Sequence, residues 1–267
     1  MPTTMPGPDA SAVLGKIFDD ILAWRGKHRE GIQVQPGSEL AADDAALAPF
    51  HLSHGLTVAS THAFDHLDTV RLLLVEAKAV PPYATYTLLR AAIENAATAL
   101  YLVAPQDRLE RVRRRLLMVV QDAADSDTVT RLIDPAHDGT KLADRRALVE
   151  KLGVAAGLTK GDVLGKGPSW RTITRTAGEV SSLDADHVPL LLWHALSGVA
   201  HGQIWADLAV LKKTEVEPTQ GVNEDGVVSM MMTAGLDGVT QAAFVAWQFL
   251  SDAERLTNRR RLAWKQH

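Results

Sequence analysis

The chain has 267 residues, 46% of them hydrophobic and 22% charged, with a net charge of −4 and no cysteine. That size and composition allow a sizeable core without disulfide or metal staples. The lack of cysteine excludes a disulfide framework, thiolate zinc sites and thiol catalysis, and the weak negative charge speaks against a broadly basic nucleic-acid surface.

Residues 1–9 are rich in proline and read as a disordered tail, followed by one α-helical domain over residues 10–267. No basic stretch followed by an apolar run opens the sequence, and no apolar run is long enough to read as a membrane span. A cytoplasmic protein with no membrane partner is the expectation. Asp9 or Ser11 caps a first helix reaching about Lys27, with Val13, Leu14, Ile17, Ile21, Leu22 and Trp24 as its apolar stripe. Residues 30–38 form a loop. Helix resumes near Leu40, breaks near Pro49, and runs from Ser53 to Lys78 with Leu56, Ala59, Ala63, Leu67, Val70 and Leu74 facing inward. Pro81 and Pro82 punctuate the chain before a very apolar helix over residues 86–103. After Pro105 comes another helix, whose run of arginines at 111, 113, 114 and 115 is expected to form a solvated face.

Residues 141–156 and 169–180 read as helices, with a glycine-rich loop or short helix between them. Asp184 or Asp186 caps a central helix that continues to about Leu211. Two short strand-like runs near 215–233 flank Glu224-Asp225-Gly226, a hairpin signal, and Pro218 confines one to an edge. A last helix spans residues 236–263, with Val239, Ala242, Ala243, Ala246, Phe249 and Leu250 inside. Helix after helix with short connectors predicts an all-α antiparallel bundle with a small β-hairpin.

The chemistry concentrates in the segment LLLWHALSGVAHGQIW, residues 190–205. It is apolar almost all round, yet carries His194, Ser197 and His201 at helical spacing. Residues seven apart on a helix lie about 20° from each other, so both histidines share one stripe. A buried helix needs partners for such groups. The natural source is the helix at 86–103, where Arg90 and Glu94 also share a face. Two readings follow. One is a structural network in which Glu94 holds Arg90 and one of them reaches a histidine or a helix end. The other is a general acid–base site, with His201 moving the proton and Glu94 or Arg90 orienting it or the substrate. Gly198 and Gly202, four apart, signal tight packing or a bend.

His62 and His66 have the i, i+4 spacing of two metal ligands, flanked by Asp65 and Asp68. Ala63 stands where a metalloprotease needs glutamate, and no third ligand is specified. These histidines are therefore expected at a helix surface or seam, His66 alone within reach of the Arg90 cluster, and no metal or cofactor is expected. His137-Asp138 has the form of a phosphohydrolase pair but lacks the helix such a site needs. The segment GDVLGKGP lacks the spacing of a phosphate loop.

Arg90-x-x-x-Glu94 on one helix and Ser197-x-x-x-His201-Gly202 on a later one resemble uncharacterised bacterial α-helical proteins of the HEPN-like type. The resemblance implies a helical bundle that often dimerises, and relatives that include metal-independent ribonucleases of toxin or phage-defence systems. Those nucleases carry arginine, four to six residues, then histidine on one helix. Here the arginine positions hold His194, Ala195 and Leu196, so His194 or Arg90 would have to bind phosphate. Two functions from different classes result: a non-catalytic binding or interaction module that forms homo-oligomers and whose polar cluster is structural or recognises a small polar ligand, or a ribonuclease acting on RNA through His201, Ser197, His194, Arg90 and Glu94.

Overall fold

The computed structural model describes residues 9–27, 31–184, 186–215 and 230–263. The fold is all-α with one small hairpin. In chain order it comprises α1 (Ala10–Lys27), α2 (Glu39–Leu47), α3 (Leu52–Arg71), α4 (Pro82–Val103), α5 (Arg108–Ile133), α6 (Thr140–Ala156), α7 (Lys160–Leu164) and α8 (Trp170–Val180). Then follow α9 (Val188–Ala200), α10 (Ile204–Val210), β1 (Lys212–Glu215), β2 (Met230–Thr233) and α11 (Leu236–Arg261). A π-helical turn, Leu72–Glu76, extends α3. The strands pair antiparallel, Lys212 opposite Thr233. The turn at 224–226, Pro218 and the tail at 1–8 lie outside the described residues.

Local chemistry explains most boundaries. Asp9 accepts the Ser11 N–H at the start of α1, Ser38 accepts from Ala41, Asp107 from Leu109, and Ser169 from Thr172. Pro82 opens α4, where its missing N–H is no loss. Thr159 and Asp162 form a capping box, so the glycine-rich stretch after residue 157 contains a genuine short helix.

The centre of the molecule is α4, which packs against α3, α11, α9 and α8. Nearly its whole second half is buried, from Ala92 to Val103, with only Asn95 partly exposed. Each buried leucine such as Leu89 or Leu100 contributes about 2 kcal/mol of transfer free energy. The inner faces of α3 and α11 are the predicted ones, except that Leu74 is only half-buried. On α1 the buried stripe is Leu14, Ile17, Phe18 and Ile21, while Leu22 faces out.

Three expectations are corrected. The central helix is not continuous: α9 ends at Ala200, Gly202 takes φ of 67°, and the chain restarts as α10. Neither Asp184 nor Asp186 caps α9, whose cap residue His187 makes no side-chain capping bond. The arginine run is not a solvated face. Arg111 is almost fully buried and bound to Asp43, Arg113 and Arg114 both clasp Glu110, and Arg115 is half-buried. Residues 111, 114, 115 and 118 share one side of α5, and that side faces the bundle. Among the described residues no helix is long and apolar enough to cross a membrane.

Candidate functional site

The pairing of the two apolar helices exists: α4 and α9 pack together. Arg90 and Glu94 stand one turn apart on α4 and form an ion pair of 2.9 Å. Arg90 Nε donates to Ser197 Oγ at 3.0 Å, across the helix seam. Glu94 Oε1 also accepts the indole N–H of Trp193 at 2.8 Å. Ser197 and Trp193 are four residues apart, so both project from the same side of α9. Glu94 is buried, and its partners supply the charge-assisted bonds that a buried carboxylate needs.

His66 belongs to the same neighbourhood from α3. Burial pushes its imidazole pKa down, Asp65 and Glu94 pull it up, and His62 adds to the fall; the net shift is downward. His62 itself is exposed. Among the described residues no group of three or more His, Cys, Asp or Glu side chains is gathered as a metal site requires.

The two histidines of α9 stand apart from the network. His194 is exposed, its ring edge-on to Trp193 with centroids 4.9 Å apart. His201 is the C-terminal cap residue of α9, with φ −101° and ψ 9°, and is exposed. Its backbone N–H caps the helix, bonding to the carbonyls of Ser197 and Gly198, while among the described residues its imidazole has neither hydrogen bond nor ion pair. Both histidines are thus exposed and outside the ion-paired network, with His201 at the very end of α9. The helix ends there because of the glycine pair. A Cβ at Gly198 would lie 2.4 Å from Ala206 Cβ and 2.9 Å from Trp205 Cζ2, so only glycine lets α10 fold back against α9. Gly202 makes the reversal with a left-handed backbone.

Trp193 is the participant that sequence reasoning overlooked. A signal was present, because an indole N–H on a buried helix requires an acceptor, and Glu94 is the carboxylate on the facing segment. The weaker motifs dissolve into structure. His137 bonds Asp127 on α5 at 2.9 Å, whereas Asp138 accepts the Thr140 N–H at the start of α6. The larger clefts lie elsewhere, one of 410 Å³ between α1, α3 and α11 and one of 520 Å³ between α3, α4, α5 and α6. Neither is lined by Arg90, Glu94, His194, Ser197 or His201. Comparison with known proteins finds no matching family model, curated protein or solved structure.

Proposed function

We propose that this chain is a non-catalytic interaction module, cytoplasmic and homo-oligomeric, in which Arg90, Glu94, Trp193 and Ser197 brace α4 against α9. The observation that carries the reading is the mutual satisfaction of these groups: the carboxylate, guanidinium, hydroxyl and indole are partners of one another. A catalytic carboxylate or guanidinium needs capacity left for substrate. The exposed Leu191, Ile204, Trp205 and Leu208 on α9 and α10 support self-association, because large apolar side chains left in water mark contact surfaces.

The second reading is a HEPN-like metal-independent ribonuclease, which the exposure of both His194 and His201 favours. One set of measurements separates the two. The brace predicts that Glu94→Ala lowers stability by about 2–3 kcal/mol in urea denaturation, since it strands both Arg90 and Trp193. It further predicts that purified protein and His201→Ala give the same RNA background in EDTA, and that light scattering reports a mass above the monomer. RNA cleavage by the native chain and not by His201→Ala would establish the nuclease instead. A strictly monomeric mass would remove the oligomer.

A further inference from the structure

The 520 Å³ cleft bounded by α3, α4, α5 and α6 is lined by two guanidinium groups that form no ion pair among the described residues. Arg115 reaches into it from α5. Its Nε donates to the carbonyls of Phe50 and His51, at 3.1 and 3.2 Å, and among the described residues its two terminal nitrogens have no acceptor. Arg145 comes from α6 and lies over the Phe50 ring, its guanidinium carbon 4.8 Å from the ring centroid. It too forms no ion pair among the described residues. One residue, Phe50, thus contacts both cations on the lining of this cleft, the first through its carbonyl and the second through its ring.

Arg71, Arg90, Arg111 and Arg260 are buried or half-buried and each is paired with a carboxylate, whereas Arg115, like the half-buried Arg146 and Arg261, bonds only neutral acceptors. Burial draws Arg115 below the ordinary arginine pKa, and the fields of Asp122 and Asp44 offset only part of that fall. Asp122 is the carboxylate on the lining, and it is exposed and unpaired with Arg115. Gly55 completes the cradle. A Cβ there would come within 3.0 Å of Arg115 Nε, so a larger residue on α3 would displace the guanidinium. Around the cations the walls are apolar, with Val58, Leu102, Met118 and Trp170, and Asn95 and Thr98 lie deeper on α4. A volume of this size suits a small ligand, for which pockets of about 300–1,000 Å³ are usual.

We propose that this cleft binds a small organic oxyanion, a carboxylate or phosphate carried on an apolar body, with Arg115 and Arg145 gripping the oxyanion. The planar forks of two arginines match either head group. The apolar body lies against Met118 and Trp170. The site is independent of the Arg90 network, so it stands whether that network is a brace or a catalytic group.

The test is calorimetric titration of the full chain with benzoate, phenyl phosphate and neutral benzyl alcohol. Saturable binding of benzoate, of phenyl phosphate or of both is expected, and shows which head group is preferred. Benzyl alcohol should bind at least about tenfold more weakly, the loss of one charge-assisted contact. Arg115→Gln should abolish binding, but Arg115 also holds two backbone carbonyls. Arg145→Ala is therefore the deciding variant, because Arg145 is exposed and its removal leaves the helices intact, which circular dichroism checks. About a tenfold or greater loss of oxyanion affinity in folded Arg145→Ala supports the site. No saturable binding of either oxyanion overturns it, as does equal affinity for benzyl alcohol or unchanged affinity in Arg145→Ala.

Discussion

At the scale of single residues, His66 reports on the packing of α3 against α4. Burial disfavours its charged form, and the carboxylates of Asp65 and Glu94 offset only part of that penalty, with His62 adding to it. Its folded pKa therefore lies below the ordinary histidine value of 6.5. The unfolded chain then binds the proton more readily, so stability rises with pH across this window. The contribution is complete above the unfolded value and is lost as pH falls toward the folded one. Urea midpoints measured at about pH 7.5 and about pH 5.5 should fall on acidification more for the native chain than for His66→Gln. Identical falls in the two proteins would mean that His66 is not held neutral by burial. The link to Glu94 was legible in the sequence only as an expectation that His66 joins the Arg90 cluster. Which charge reached it depended on α3 lying beside α4.

At the scale of elements, the break between α9 and α10 decides where His201 goes. Helix propensity favours alanine over glycine by about 1 kcal/mol at a helix position such as 198. The fold opposes that preference, because the added Cβ would lie 2.4 Å from Ala206 Cβ. Ala206 Cβ is fixed to the backbone and cannot rotate away, so α10 itself must shift, an overpacking that costs about 1–3 kcal/mol. Gly198→Ala should therefore lower stability by about 1–2 kcal/mol in denaturant titration. A gain in stability, as propensity alone predicts, would mean that α10 does not fold back. The sequence signalled a bend or a close contact through its two glycines, and both occur. The helical pattern nevertheless runs straight through residues 201–203, because apolar spacing continues on each side of the reversal.

At the scale of the molecule, one end of the bundle is tied by ions. Asp43 of α2 takes two bonds from Arg111 of α5, at 2.7 and 3.2 Å. Arg111 and Arg260 of α11 both donate to carbonyls where α4 gives way to α5, including that of Pro105, and Arg260 also pairs with Glu39. Four helices are joined by two buried guanidinium groups. Such pairs are fragile to single truncation and tolerant of joint apolar replacement. Asp43→Ala should cost about 3–5 kcal/mol, and Asp43→Leu combined with Arg111→Leu should cost clearly less. Urea denaturation of the three proteins checks the order. A double variant less stable than Asp43→Ala would mean that the charges contribute net stability and not merely mutual neutralisation.

Periodicity, caps and punctuation were enough to place the long helices other than the broken central one, the small hairpin and most of the inner faces. These are properties of residues three or four apart, or two apart in a strand, and need no knowledge of what lies opposite. The partners Arg90, Glu94 and Ser197 were legible for a related reason: each is a polar group on an otherwise greasy helix, and two such helices must answer each other. Only the tertiary structure decided that Trp193 supplies the second donor to Glu94, that His201 lies at a helix end, and that Arg111, Arg114 and Arg115 of α5 turn inward. It also brought Arg115 and Arg145, thirty positions apart in sequence, onto the same phenylalanine. The choice of partner for a long charged side chain depends on which element packs across from it, and that information is not local.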